Sequence, residues 1–425
     1  MNRPHRIALV NNRWFMVGGT TRYLFNVKRL LEDAGHTVVP FGNRYVQTVQ
    51  EIDVEEFVDP PGDPAGPFFA GADLTWQRKL SLVQRGIYSR EVRNKLESLI
   101  DRHRIDLVYS VNVCNFLGPS VIDAARSRGI PYVMRLSDFH LLCPSYSFMR
   151  DGRPCEDCTG GLWHGIKNRC LQDSVAVSAA RVGTMWIHRA MGIHHRVTRM
   201  VTPTAFMREK LIEGGYDRSR IVHVPTFVDT DVFTPRRNEV GDSVVFSGRI
   251  APEKGPDTVV EAMRRLPTNS RLRLVFLGDG QGPGHEALRE RARALGPDRV
   301  EFAGFVDRER VIEELSRARA LLMPARWYEN MPNAVSEAMA LGVPVLASAI
   351  GSLPEQVEDG VTGRLLPVDD IESWNSALAE LEEDDDLVRR WGAAARARAE
   401  RDWSPELHYE RLMRVFGDAI TDLPT

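Results

Sequence analysis

The stretch RALLMPARWYENMPNAVSEAMALGVPVLASAIG, residues 319–351, decides how the chain folds. Its apolar runs 320–324 and 343–347 are typical of buried strands. Between them lies a helical pattern that begins near a proline and ends at Gly342. A strand, a helix and a second strand in this order form a βαβ unit, so the stretch predicts an α/β domain built on a parallel sheet.

The turn before the predicted helix suits a phosphate group. A helix N-terminus carries unpaired N–H groups and a partial positive charge, so we expect residues 329–333 to face an anionic ligand. The candidate cradle consists of Asn330, Met331, Pro332 and Asn333. Glu329 and Glu337 flank it with the spacing Glu-x7-Glu, and each carboxylate accepts the two hydrogen bonds that neighbouring sugar hydroxyls donate. The alternative is that both are solvated acids that merely favour the helix dipole.

A second informative stretch is GRIAPEKG, residues 248–255, which follows the strand-like run 243–247. Arg249 and Lys254 lie five residues apart on a strand-to-helix loop, where a guanidinium and an ammonium group can straddle a diphosphate. Surface salt bridges are the alternative explanation for such a pair.

Together the two motifs, Gly-Arg-x4-Lys-Gly and Glu-x7-Glu, resemble the donor site of glycosyltransferase family 4, the retaining sugar transferases with the GT-B fold. The resemblance covers most of the chain. It implies two Rossmann-like α/β domains that face each other across a cleft, with a nucleoside-diphosphate sugar bound by the second. Arg249 and Lys254 would neutralise the departing diphosphate, Glu337 would bind the ribose, and Glu329 would orient the transferred sugar. No cofactor would be needed for catalysis.

The N-terminal half has the same alternation of strands and helices. The run 6–10 reads as a strand and is followed by a turn containing Gly18 and Gly19, while 37–41, 106–110 and 131–135 read as further strands. Two glycines alone usually mark only a turn. The resemblance places this turn opposite the donor phosphates, and it places the strand ends at Gly278, Phe305 and Val306 beside the nucleotide base.

The loop after the fourth strand, 137–144, is a candidate catalytic loop because α/β sheets present such loops at the ends of their strands. The resemblance implies a histidine followed by an aspartate at this position, as in many members of the family. This chain has Ser137 in place of that histidine and retains Asp138. His140, two residues on, is a candidate for the missing role, although a lone histidine is more often structural.

Four cysteines form a set with one tight pair, Cys143-x11-Cys155-x2-Cys158-x11-Cys170. The segment between them is rich in turn residues and polar, so we expect a structural zinc ion with four thiolate ligands to order it. His164 is an alternative ligand. A redox-active or labile disulfide and an iron–sulfur cluster are the competing interpretations.

The chain is expected to divide into three parts. Residues 1–225 form the acceptor-side domain with the cysteine-rich insertion 143–170, residues 226–403 form the nucleotide-sugar domain, and 404–425 form a terminal helix that returns to the first domain.

The composition fits a folded protein that needs no membrane span. The 425 residues carry a net charge of -3, which argues against a nucleic-acid partner, and the apolar run at the N-terminus is too short for a signal peptide. We therefore expect a protein of the cytoplasm or of the inner face of the membrane. Residues 76–100 and 175–200 mix basic with apolar and aromatic side chains, which indicates either peripheral membrane contact or ordinary amphipathic helices.

The predicted function is transfer of a sugar from a nucleoside-diphosphate sugar to a hydroxyl of a glycan, lipid-linked or small-molecule acceptor, with retention of configuration as the resemblance implies. A sugar-nucleotide epimerase or hydrolase of the same fold, and a non-catalytic binding protein, are the competing interpretations.

Overall fold

The computed structural model describes residues 4–60, 83–114, 116–235 and 240–422. They form two six-stranded parallel sheets and one short hairpin. The strands are β1 Arg6–Asn11, β2 Thr37–Phe41, β3 Leu107–Asn112, β4 Tyr132–Arg135, β5 Met149–Arg150, β6 Arg153–Pro154, β7 Arg199–Thr202, β8 Ile221–His223, β9 Ser243–Ser247, β10 Arg273–Leu277, β11 Val300–Gly304, β12 Ala318–Met323, β13 Val345–Ser348 and β14 Gly363–Leu366.

Helices cover both faces of the two sheets. In the first domain they are α1 Gly19–Asp33, α2 Arg90–His103, α3 Ser120–Ser127, α4 Trp163–Lys167, α5 Val175–Ala190 and α6 Ala205–Glu213. In the second they are α7 Pro256–Arg264, α8 Pro283–Arg293, α9 Arg308–Ser316, α10 Asn333–Ala340, α11 Leu353–Gln356, α12 Ile371–Glu383, α13 Asp385–Trp403 and α14 Pro405–Thr421.

The strand order identifies both sheets as doubly wound. It is β2-β1-β3-β4-β7-β8 in the first sheet and β11-β10-β9-β12-β13-β14 in the second. In each sheet the strand that comes first in sequence, β1 or β9, lies inside the sheet, and later strands are added on both sides of it. The order of the strands therefore reverses beside β1 or β9, which leaves a crevice there at the carboxyl ends of the strands. Most strand residues are fully buried, because helices cover a parallel sheet on both faces.

The βαβ unit predicted from residues 319–351 is present as β12, α10 and β13. Its boundaries differ by one or two residues from the sequence prediction. Pro332 is the N-cap residue of α10, with an extended ψ of 126°, and the helix begins at Asn333. Residues 90–100 of the basic stretch 76–100 belong to α2, whose apolar side is buried in the core of the first domain. Residues 76–82 lie outside the described residues.

The last helix, α14, packs against the first domain although it follows the second in sequence. Leu412 and Phe416 belong to the same apolar cluster as Ile7 and Tyr109. His408 joins the two parts: its Nδ1 atom lies 2.7 Å from the carbonyl oxygen of Pro225. Burial lowers the pKa of His408 to about 3, so the imidazole is neutral at physiological pH.

Candidate functional site

Three loops meet at the carboxyl edge of the second sheet. The amide of Ile250 donates to the carbonyl of Asp279 at 2.8 Å, and the amide of Gly278 donates to the carbonyl of Gly304 at 2.8 Å. A Cβ atom at Gly278 would lie 2.1 Å from the carbonyl oxygen of Gly248, and its φ is 139°, so only glycine fits there. The loop containing the predicted cation pair is thereby fixed beside the strand ends.

The two predicted nucleotide-base neighbours differ in exposure. Phe305 is 90% exposed. Val306 is partly buried against the apolar cluster that contains α10. Phe305 therefore has no packing role that would explain a large aromatic side chain at this edge of the sheet.

Lys254 lies against the acidic turn that precedes α10. Its ammonium group forms an ion pair with Glu329 and lies 5.2 Å from the centroid of the Trp327 ring. Trp327 in turn donates from Nε1 to Glu329 Oε1 at 2.7 Å. The structure thus brings Lys254 and Glu329, 75 residues apart, into one buried cluster. Arg249 instead pairs with Glu253 in its own loop, and its side chain is 64% exposed.

The backbone of the turn 329–333 is held by Ser352. Its hydroxyl donates to the carbonyl of Glu329 at 2.6 Å and accepts from the amide of Met331 at 3.2 Å. Met331 has a φ of 60°, a conformation that is uncommon for non-glycine residues. The side chain of Asn330 accepts a hydrogen bond from Thr204 of the first domain at 3.2 Å. The turn therefore contacts both domains.

The glycine turn of the first domain faces the start of α10. A Cβ atom at Gly19 would lie 3.3 Å from Nδ2 of Asn333. Gly18 precedes α1, and its amide donates to the Thr21 hydroxyl at 3.1 Å. Gly19 therefore lies close to the N-terminus of α10 across the cleft, whereas no atom lies within 4 Å of a Cβ atom built at Gly18.

Sequence reasoning missed Arg22, which forms an ion pair with Glu337 across the cleft. Burial raises the pKa of the Glu337 carboxyl, and Arg22 and Arg308 partly oppose that increase. The pair borders a cleft pocket that also includes Asn333. The available signal was the position of Arg22, three residues beyond Gly19 on α1, which places it on the side of the helix that faces the glycine turn.

Asp138 and His140 form a hydrogen-bonded pair after β4. The imidazole Nδ1 of His140 lies 2.6 Å from Asp138 Oδ1, and the amide of His140 donates to the same oxygen at 3.0 Å. Burial would raise the pKa of Asp138, but His140 and Arg181 outweigh it, so the pKa lies below its usual value. Arg181 also donates to the carbonyl of His140 at 3.1 Å. The aspartate therefore stays ionised and orients the imidazole.

The cysteine-rich insertion does not support the predicted zinc site. Across the described residues there is no group of three or more His, Cys, Asp or Glu side chains arranged to hold a metal ion. The four candidate ligands, Cys143, Cys155, Cys158 and Cys170, are free thiols. Burial and the neighbouring thiols raise the pKa of Cys158 to about 12.

The described residues do not support the expectation that this insertion needs a metal to fold, and the insertion has apolar packing of its own. Phe148 is fully buried, and Leu162 and Cys158 pack with Val182 and Met185 of α5. Burial of an apolar side chain is worth about 1.5–3 kcal/mol, so this packing contributes to the stability of the insertion.

The insertion also contacts the second domain. Glu156 accepts a hydrogen bond from the hydroxyl of Tyr328 at 2.7 Å and forms an ion pair with Lys210 at 2.8 Å. Tyr328 immediately precedes Glu329, so the insertion buttresses the acidic turn. A second bridge joins Glu355 to the N-terminus of α6, where the Ala205 amide donates to its carboxylate at 2.7 Å. These residues were also missed by the sequence analysis.

None of the described helices is long and apolar enough to span a bilayer.

Two Rossmann-like domains that face each other across a cleft, with a terminal helix returning to the first, define the GT-B fold.

The comparisons with known proteins agree with this architecture. Residues 18–226 match the family model described as glycosyl transferase 4-like domain, and residues 228–398 match the model described as glycosyl transferases group 1. The chain belongs to the group 1 glycosyltransferases.

Two relatives illustrate the range of the family. A D-inositol 3-phosphate glycosyltransferase of Mycobacteroides abscessus is 37% identical over 243 residues, which cover 53% of this chain and 52% of the relative. A GDP-mannose-dependent monoacylated alpha-(1-6)-phosphatidylinositol monomannoside mannosyltransferase of Corynebacterium glutamicum is 31% identical, covering 45% of this chain and 55% of the relative. The chain thus spans about half the length of the curated relatives it matches.

The structure of Anabaena Alr3699/HepE in complex with UDP superposes with a TM-score of 0.66 over 97% of this chain and 99% of that chain, at 15% identity. At that identity the likeness concerns the fold.

Proposed function

We propose that this protein transfers a sugar from a nucleoside-diphosphate sugar to a hydroxyl of an acceptor, with retention of anomeric configuration. The donor lies in the cleft, with its diphosphate between the N-terminus of α10 and Lys254. The acceptor binds on the first domain, which extends to residue 225, and residues 226–403 hold the donor. The acceptor is a glycan, a lipid-linked sugar or a small polyol.

The observation that carries this proposal is the contact of Lys254 with Glu329 directly before α10, while Gly19 lies close to Asn333, the first residue of that helix. A lysine, a helix N-terminus and a glycine turn thereby converge on a space where a pyrophosphate neutralises the positive charge. Glu329 is the partner of Lys254 in this structure, and the donor phosphate takes over that ammonium group on binding.

The remaining residues take distinct roles. Glu337 binds the ribose hydroxyls once Arg22 turns toward the phosphates, and Glu329 with the backbone of residues 330–333 orients the transferred sugar. Arg249 is exposed and, among the residues that the structure describes, it pairs with Glu253 of its own loop, so its side chain can turn onto the diphosphate. Gly278, Phe305 and Val306 surround the base. Asp138 and His140 face the reacting sugar from the first domain, where the oriented imidazole hydrogen-bonds to a sugar hydroxyl.

Departure of the nucleoside diphosphate is the step that these cations assist. Negative charge develops on the phosphate oxygen as the glycosidic bond breaks, and Lys254, Arg249 and the dipole of α10 stabilise it. The acceptor hydroxyl then attacks on the face from which the phosphate leaves, and its proton passes to the departing phosphate.

The names of relatives support the proposed classes of donor and acceptor. Relatives are named for D-inositol 3-phosphate, for GDP-mannose and for a phosphatidylinositol mannoside, and a structural neighbour binds UDP. For this chain we propose a UDP- or GDP-sugar as donor and a polar or lipid-linked hydroxyl compound as acceptor.

Replacing the donor-site cations tests the proposal. Lys254→Ala and Arg249→Ala should each lower kcat/KM by about a hundredfold or more, as loss of a charge that stabilises the transition state does. Arg264→Ala is the matched control, because Arg264 is an exposed arginine on α7 that pairs only with Glu261. Activity of the Lys254 variant within threefold of wild type, at unchanged melting temperature, would refute the assignment.

The same assay separates the competing function. A sugar-nucleotide hydrolase or epimerase consumes donor at full rate without any acceptor, whereas a transferase does so slowly. The rate of nucleoside diphosphate release with and without acceptor decides between them.

We also propose peripheral contact with a membrane, made by the first domain. Six of the twelve large hydrophobic side chains exposed in the described ranges lie between residues 163 and 191. This exposed face consists of Trp163, Val175, Val177, Trp186, Ile187 and Met191. Residues 159–208 hold seven Lys and Arg and a single acid, Asp173. Apolar side chains among basic ones suit the surface of an anionic bilayer.

A further inference from the structure

A cavity in the first domain lies beside the Asp138–His140 pair and away from the donor residues. It contains about 520 Å³ of space between atoms, open solvent at its mouth included. The walls come from the ends of β3 and β4, from α3 and α5, and from the segment before β7. Its polar lining consists of Cys114, His140, Arg181, His188, Arg189, His194 and Tyr216.

The charge of this lining has one sign. Two arginines and three histidines face the cavity, and in the part of the chain that the structure describes no aspartate or glutamate lines it. Asp138, outside the lining, is hydrogen-bonded to His140 and also attracts Arg181. Burial and the neighbouring basic groups lower the pKa values of His188 and His194, so both imidazoles are neutral at physiological pH and the positive charge of the lining is that of the arginines.

Both guanidinium groups are held in place by backbone rather than left mobile. Arg181 donates to the carbonyl of His140 at 3.1 Å, and Arg189 donates to the carbonyl of Leu141 at 3.3 Å. Arg181 also donates to the Cys114 sulfur at 3.4 Å, and Arg189 also hydrogen-bonds to Tyr216, so several contacts orient each group. Two pre-oriented guanidinium groups on one helix are the arrangement that binds the oxygens of a phosphate or carboxylate with least loss of side-chain entropy.

His194 adds an independent observation. Its Nδ1 atom is shielded from solvent and has no hydrogen-bond partner among the described residues, although the ring lines the cavity. An unpartnered buried polar atom of this kind costs about 1–3 kcal/mol. The cost is recovered if a ligand in the cavity shares a proton with this nitrogen.

We infer that this cavity binds the anionic group of the acceptor, a phosphate monoester, with Arg181, Arg189 and His194 as its ligands. The inference rests on the proposed function, since it names the acceptor of the same reaction. Anchored here, the acceptor extends past His140 toward the cleft, where its hydroxyl meets the donor sugar. The phosphate is not consumed, so the cavity determines specificity and takes no part in bond breaking.

Calorimetric titration with glycerol 3-phosphate tests the inference, with UDP present in saturating amount so that the donor site is filled. Arg189→Gln should weaken binding of glycerol 3-phosphate at least tenfold and leave the affinity for UDP within twofold of wild type. Arg189 is exposed, so this variant is expected to fold. Arg126→Gln is the matched control, an exposed arginine on α3 outside the cavity lining. Equal affinity of the Arg189 variant and wild type would overturn the inference.

The same protein separates failure of this inference from failure of the proposed function. If the chain binds glycerol 3-phosphate through Arg189 but transfers no sugar, the anion site stands and the transferase proposal fails. If it transfers sugar equally well to phosphorylated and unphosphorylated acceptors, the transferase proposal stands and the anion site fails. Vesicles of phosphatidylcholine with 20% phosphatidic acid present the same phosphate as a lipid headgroup. Arg189-dependent binding to them identifies a lipid source, and binding of glycerol 3-phosphate alone identifies a soluble one.

Discussion

At the scale of single residues, the ion pair between Arg22 and Glu337 depends on the protonation state of a buried carboxyl group. Glu337 is 5% exposed, and Arg22 is its ion-pair partner from the opposite domain. We expect Arg22→Met to lower the free energy of unfolding at pH 7.5 by about 1–3 kcal/mol, less than for a fully buried pair because the Arg22 side chain is partly exposed.

The pH dependence of that loss has a definite sign. Burial raises the pKa of Glu337 and Arg22 opposes it, so the variant should raise this pKa further. A raised carboxyl pKa stabilises the protein at low pH, and that contribution is lost as the pH rises through the folded-state pKa. The difference between variant and wild type should therefore shrink from pH 7.5 to pH 5, as measured by urea denaturation. In a Glu337→Gln background Arg22→Met should cost under about 0.5 kcal/mol, and an equal cost in both backgrounds would contradict the pairing.

Some of these residues could be predicted from sequence and others could not. Lys254 and Glu329 both follow strands of one parallel sheet, and parallel strands place their carboxyl ends at one edge, so local pattern suffices to bring them together. Arg22 and Glu337 are 315 residues apart, on helices α1 and α10 of different domains. Their contact depends on how the two domains dock, which no local periodicity encodes. The zinc site predicted at the four cysteines is not supported, and the burial of Phe148 and Leu162 could not be read from the turn-rich, polar sequence of the insertion.

At the scale of elements, the turn between the Lys254 loop and α7 depends on Gly255. Its φ is 64°, and a Cβ atom there would lie 2.0 Å from the carbonyl oxygen of Pro324 after β12. Gly255→Ala should therefore force two backbone segments apart and lower stability by about 3 kcal/mol or more. Gly296 after α8 also has a positive φ, 90°, but no atom lies within 4 Å of a Cβ built there. Gly296→Ala should cost only the backbone strain, about 1–2 kcal/mol.

The comparison isolates the clash from the strain, because both glycines have positive φ angles. Thermal unfolding of the two variants gives the measurement. Donor affinity gives a second one: since Lys254 adjoins Gly255, the Gly255 variant should also bind UDP more weakly, whereas the Gly296 variant should not. Equal loss of stability in the two variants would show that the contact with Pro324 is unimportant.

At the scale of the whole molecule, helix α5 connects the two proposals about the acceptor. Arg181 and His188 on one side of it line the cavity, while Trp186 and Ile187 on the other side are exposed. A phosphorylated acceptor embedded in a bilayer would thus find its anion site and the membrane-facing side chains on the same helix. Docking through this face would also leave the cleft open to a donor from the aqueous side, because the donor residues belong to the opposite domain.

This arrangement predicts the behaviour of a double variant. Trp186→Ser with Ile187→Ser should reduce binding to vesicles of phosphatidylcholine with 30% phosphatidylglycerol by tenfold or more, since each side chain contributes about 1.5–3 kcal/mol when buried in the interface. Val46→Ser with Val361→Ser is the control, because those two valines are as exposed but lie outside the basic segment. Co-sedimentation at low and high salt gives the measurement. Binding should weaken as salt rises, because the basic residues of 159–208 attract the anionic lipid. If the double variant and its control bind vesicles alike, the membrane does not meet this face.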